Sequence, residues 1–96
     1  MRSRDRMIEI LEKNYPDMFV DITEKFDGSE GGIWLSAEGR GVTDKSGLPL
    51  FDYYAEDYKE EYYIFGVRKH IHFWAERAGW FFEWHDAGTM MLWPNR

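Results

Sequence analysis

Between Val67 and Trp93 the spacing of apolar residues changes once, from the helical period to the strand period, across one glycine. Upstream of it, Val67, His70, Ile71, Trp74, Ala75 and Ala78 share one helical stripe, while Arg68, Lys69, His72, Glu76 and Arg77 point away. A helix patterned this way has a core to cover. Gly79 follows at once, and a glycine there takes the left-handed conformation that ends a helix without a Cβ clash. Trp80, Phe82 and Trp84 then alternate with Phe81, Glu83 and His85, which places an aromatic wall on one side of a strand. The turn at Asp86-Ala87-Gly88 makes this a hairpin. A three-residue loop with Gly88 left-handed sets Trp84 opposite Met90 and Phe82 opposite Leu92, and is preferred; a two-residue loop at Ala87-Gly88 would pair them with Met91 and Trp93.

The rest of the chain supplies what this unit packs against. Ser3 to Lys13 reads as a short helix capped by Ser3, with Met7, Ile10 and Leu11 as its apolar stripe and Asn14-Tyr15-Pro16 as its stop. Met18 to Phe26 fits either period, but its Val, Ile and Thr favour a strand. The Gly-rich run Asp27 to Gly32 is a turn, and Ile33 to Glu38 pairs back as a second strand. Gly39 to Pro49 reads as an open connection, and Leu50 to Ala55 as a third strand. Tyr62 to Phe65 either extends the sheet or begins the helix early, and Gly66 argues for starting the helix at Val67. The resulting order is α-β-β-β-α-β-β, an α+β fold with an antiparallel sheet and both helices on one face. A chain of 96 residues makes a single domain, burying about 60 to 65% of its unfolded surface.

Composition narrows the possible functions. There is no cysteine, so disulfide and thiolate chemistry are excluded and a reducing cytoplasm fits. Neither an export signal nor a membrane span is expected, because no apolar run has the required length. The net charge of −6 is uneven: Asp5 to Glu61 holds fifteen acids and six bases, whereas Tyr62 to Arg96 holds three acids and four bases. Such a field repels a phosphate backbone unless Arg68, Lys69 and Arg77 form a local patch, so the expected partner is a protein with a basic surface rather than nucleic acid.

Three clusters are candidates for chemistry. Asp27 to Glu38 resembles the twelve-residue calcium loop of EF-hand proteins, with Asp27, Ser29 and Glu38 at ligand positions. The match fails at Gly31 and Leu35, and Gly39 and Gly41 break any exit helix, so a hairpin turn is the plainer reading and a calcium-dependent regulatory protein the alternative one. His70 and His72 diverge on a helix and cannot share an ion, and a zinc site from one of them with His85 and Asp86 has no spacing signature behind it. His70 is expected on the buried stripe, bonded to a neighbour. The third cluster is Asp52 to Tyr63. Here Asp52, Glu56, Asp57, Glu60 and Glu61 crowd around Tyr53, Tyr54, Tyr58, Tyr62 and Tyr63. Nothing in the pattern indicates a cleft for acid and base catalysis, so no enzyme and no cofactor is expected. The bland reading is a solvated acidic face. Against it stands a binding surface in which tyrosines supply contact area and carboxylates supply steering, centred on Asp52, Tyr54, Glu56, Asp57, Tyr58, Glu60 and Glu61.

Gly66-Val67, Gly79-Trp80, Glu83-Trp84 and the turn Asp86-Ala87-Gly88-Thr89, with Phe51 to Asp57 ahead of them, resemble small uncharacterised proteins encoded by bacteriophages and prophages. The likeness covers the C-terminal half. It implies a mobile-element setting, in which small acidic proteins bind and block host proteins, including those of defence or nucleic-acid handling. No site residue carries over from it. An uncovered Phe81 or Trp93 would further suggest a homodimer or a docking patch.

Overall fold

The computed structural model describes residues 1–37, 42–55 and 61–95. Its first helix, α1 (Arg4–Asn14), starts where Ser3 caps it, the Ser3 hydroxyl accepting from the Arg6 backbone N–H at 3.2 Å. Asp5 in the first turn and Lys13 in the last complement the helix dipole. Tyr15 leaves helical geometry immediately before Pro16, a position where proline disfavours helix.

Strand β1 (Val20–Ile22) is shorter than the expected segment and runs into a 3-10 turn, Thr23–Lys25. The buried Thr23 hydroxyl causes the change. It donates to the Ser29 carbonyl at 2.8 Å and accepts from the Gly32 N–H at 3.0 Å, closing the glycine-rich turn over itself. Strand β2 (Ile33–Ser36) returns antiparallel to β1, with Ile22 opposite Ile33.

The expected strand over Leu50 to Ala55 is not formed. Phe51 alone bridges to Val67, and Asp52 then turns the chain by accepting from the Tyr54 N–H at 3.1 Å. The strand pair lies further on, in β3 (Tyr63–Ile64) and β4 (Val67–Arg68), joined by Phe65-Gly66 with φ values of 49° and 76°. Two consecutive positive φ values match the twist of a two-residue hairpin. Val67 and Arg68 are therefore strand, and α2 (Lys69–Arg77) begins two residues later than its periodicity suggested.

After α2, Gly79 has φ 84° and leads into β5 (Trp80–Asp86), which pairs with β6 (Thr89–Pro94). The backbone conformation favours glycine there, while the nearest atom a Cβ would meet, Met1 Cγ at 2.9 Å, belongs to an exposed terminal side chain that can move aside. The register is the preferred one, Trp84 opposite Met90 and Phe82 opposite Leu92, but its cause differs. The loop is two residues, Ala87-Gly88, and an irregularity between Trp84 and Asp86 absorbs the extra residue. Gly88 is not among the glycines with positive φ.

The main sheet is antiparallel throughout, in the order β1-β2-β6-β5. Its inner face presents Ile33 and Leu35 from β2, Met90 and Leu92 from β6, and Trp80, Phe82 and Trp84 from β5. Met7 and Leu11 of α1 and Ile71 and Ala75 of α2 join the same cluster, giving the α+β arrangement with both helices on one side. Each fully buried aliphatic side chain contributes about 1.5 to 3 kcal/mol relative to exposure. The opposite face carries its own aromatic cover. Phe19 and Phe26 meet Trp34 at ring separations of 4.6 and 4.8 Å, and Phe26 also meets His85 at 4.8 Å.

Candidate functional site

Of the surface residues expected to meet a partner, Asp52, Tyr54 and Glu61 are described, whereas Glu56, Asp57, Tyr58 and Glu60 lie outside the described residues. Phe51 anchors the segment from below. It is buried, with ring separations of 5.5 Å to Phe82 and 6.4 Å to Trp84. The Asp52 turn then brings Tyr53 and Tyr54 to the surface, ring to ring at 5.3 Å, with Tyr53 edge-on to Trp84 at 5.1 Å.

Trp84 connects this turn to the hairpin tip, its indole N–H donating to the Phe65 carbonyl at 2.7 Å. Gly66 completes the junction: a Cβ there would lie 2.5 Å from the Asp52 carbonyl oxygen and 2.9 Å from Trp84 Cζ2. Two turns are thus locked together over one indole, and both display aromatics. Phe65 is 76% exposed, Tyr54 66%, and Tyr53 and Tyr62 about half. Glu61 is exposed beside them in sequence.

A second feature was not legible in the sequence. Asp44 lies at the back of a cavity of about 440 Å³ lined also by Asn14, Tyr15, Thr43, Arg68 and His70. The segment from residue 42 to Pro49, expected as an open connection, is an ordered turn. Its ends bridge at Thr43 and Pro49, and one Asp44 carboxylate oxygen accepts from the Ser46 N–H at 2.9 Å and the Ser46 hydroxyl at 2.6 Å. The other oxygen accepts from Arg68 Nε and faces His70 Nε2 at 3.1 Å. Burial on its own would raise the Asp44 pKa, but hydrogen bonds from Ser46, Arg68 and His70 outweigh it and hold the carboxyl well below the usual range. Tyr15 is shifted the other way: burial, then the negative charge of Asp44, raise its hydroxyl, with Arg68 opposing. The His70 side chain is therefore half-exposed at the cleft rather than on the buried stripe, because α2 turns its Ile71 and Ala75 face to the core. Its bond to a neighbour is the one with Asp44.

The remaining candidates are dispersed. The loop from Asp27 is entered from a 3-10 turn and left by a strand, not by the two helices of an EF-hand. Hydrogen bonds from Ser29 hold the Asp27 carboxyl below its usual range, and Glu38 lies outside the described residues. His72 pairs with Glu76 on its own helix, and His85 rests on Phe26. Among the described residues no group of three His, Asp or Glu side chains is placed to hold a metal, and no helix is long and apolar enough to cross a membrane. Phe81 is partly exposed opposite a half-buried Trp93. No family model, curated protein or solved structure matches this chain.

Proposed function

We propose that this chain is a non-enzymatic, phage-derived binding module that docks a basic surface of a host protein, one of defence or nucleic-acid handling, and blocks it in the host cytoplasm. The contact surface is the exposed part of the segment Asp52 to Tyr63, Tyr63 itself being buried with its hydroxyl donating to the Pro49 carbonyl, together with the adjoining hairpin tip at Phe65. The observation that carries the reading is Phe65 itself, a large apolar ring left 76% exposed on a residue with φ 49°. An L-residue in the left-handed region is disfavoured by about 1 to 2 kcal/mol, and a hairpin selected for stability alone takes Asn or Gly at that position. Phe, Tyr and Trp are enriched at the cores of protein interfaces, where they supply contact area. The acidic excess around them steers a basic partner and lets carboxylates occupy a site meant for phosphates.

The test is affinity capture from bacterial cytosol with mass spectrometry, comparing the parent chain, Phe65→Asn, and the fourfold reversal of Glu56, Asp57, Glu60 and Glu61 to Lys. The expected result is one basic protein captured by the parent and lost by both variants, with unchanged melting of the reversal variant. Capture that is indifferent to both changes refutes the proposal.

A further inference from the structure

The cleft behind Asp44 is separate from the aromatic tip and carries a chemistry of its own. Two of its donors meet no acceptor among the described residues. Arg68 donates Nε to Asp44 and Nη1 to the Tyr62 carbonyl at 2.7 Å, and Nη2 makes no hydrogen bond to a described residue. The Tyr15 hydroxyl, half-buried on the opposite wall, has no hydrogen-bond partner among the described residues either. Lys45 adds a second cation at the rim. Arg68 and Lys45 against Asp44 leave one excess positive charge here, in a chain whose net charge is −6. The Asp44 carboxylate is already engaged by Ser46, Arg68 and His70, so it positions the guanidinium rather than competing for a ligand cation.

Beside it, between α1 and α2, lies a groove of about 180 Å³ lined by Ile10, Leu11, Ile71 and Trp74, which shares Asn14, Tyr15 and His70 with the cavity. A cavity of about 440 Å³ lined by polar residues and adjoining such a groove falls in the size range of small-molecule sites. We infer that the cleft binds a small amphipathic monoanion, an organic carboxylate whose head meets Arg68 Nη2, Tyr15 Oη and Lys45 Nζ and whose aliphatic or aromatic body lies along Ile10, Ile71 and Trp74. A planar carboxylate fits a guanidinium edge and one hydroxyl, and it replaces the acceptor that these groups lack. A doubly charged head is disfavoured because Asp44 stands directly behind Arg68. The body is short, since the groove between the helices is less than half the volume of the main cavity.

The experiment is a titration of the isotope-labelled full chain, in phosphate-free buffer, with sodium hexanoate, its neutral amide hexanamide, and inorganic phosphate, followed by two-dimensional NMR. Hexanoate is expected to shift the Arg68 Nε–H, the Trp74 indole N–H and the Tyr15 and His70 signals along one saturable curve in the millimolar range. Hexanamide and phosphate, each lacking one half of the recognition, are expected at least about tenfold weaker. Tyr15→Phe and Lys45→Ala, neither of which removes a partner of Asp44, weaken hexanoate several-fold without moving the melting temperature. No saturable shift up to tens of millimolar, shifts mapping outside the cleft, or phosphate binding as well as hexanoate would each overturn the inference. Tighter binding of N-acetylleucine, which presents a peptide's terminal carboxylate, would overturn the assignment to a free small molecule.

Discussion

Replacing Phe65 with Asn separates the two roles a surface aromatic can have. The parent residue holds φ 49° at the first position of a two-residue hairpin turn, followed by Gly66 at φ 76°. Asn populates that region far more readily, and Asn-Gly is a favoured pair for this turn. Relief of backbone strain is worth about 1 to 2 kcal/mol. Against this, about a quarter of the residue is covered, the complement of its 76% exposure. Losing roughly 50 Å² of apolar contact costs about 1 kcal/mol at 25 cal/mol per Å². The balance runs from neutral to about 1 kcal/mol more stable. For a domain of this size that is a rise of up to about 4 to 8 °C in melting temperature, readable by circular dichroism. Urea unfolding at constant m-value gives the same difference independently. A loss of more than about 1 kcal/mol would show that Phe65 is a packing residue, and the case for it as a displayed contact would collapse with that result.

Three further outcomes follow from the same geometry. Asp44→Ala removes the partner of an Arg68 side chain that is 14% exposed, and is expected to cost about 3 to 5 kcal/mol in urea unfolding; a cost under about 1 kcal/mol would mean the turn from residue 42 to Pro49 is not held by that carboxylate. Gly66→Ala drives a Cβ to 2.5 Å from the Asp52 carbonyl oxygen at φ 76°, and is expected to lose more than about 2 kcal/mol and to broaden the Trp84 indole signal; an unchanged melting curve would refute the locked junction. Hydrogen bonds from the Arg4 side chain and then the Gly31 N–H lower the Glu24 pKa from 4.5 to about 2, and Asp44 is also lowered from its usual 3.8. The folded state therefore binds fewer protons than the unfolded state in acid, so the stability contributed by these groups is complete above about pH 5 and is lost as pH falls toward 2. Urea midpoints measured across that window should fall steadily, and Glu24→Gln should flatten part of the slope.

The parts of this fold legible in the sequence are those whose determinants are local. Ser3 and Pro16 bracket α1, the switch of period at Gly79 marks the step from α2 to β5, and alternation in Trp80, Phe82 and Trp84 assigns the buried side of the hairpin. The hairpin register follows from the alternation but its turn does not, because an irregularity at His85 and a two-residue loop compensate each other. Leu50 to Ala55 looked like a strand because Phe51 and Tyr53 alternate, yet no described strand continues the pairing beyond the single bridge to Val67. The cleft was invisible for a different reason. Asn14 and Tyr15, Thr43 to Ser46, and Arg68 and His70 come from three distant segments, and no spacing rule links an aspartate to an arginine and a histidine 24 and 26 residues downstream. Only the turn itself had a signal, Asp44 followed by Ser46 and Gly47.

The indole bond from Trp84 to the Phe65 carbonyl gives the molecule a built-in spectroscopic gauge. Anything that grips the tip must perturb the electronic surroundings of that one ring, while the other four tryptophans sit elsewhere in the chain. A fluorinated tryptophan read at position 84 would then register occupancy at the aromatic tip without attaching a dye to the surface under study.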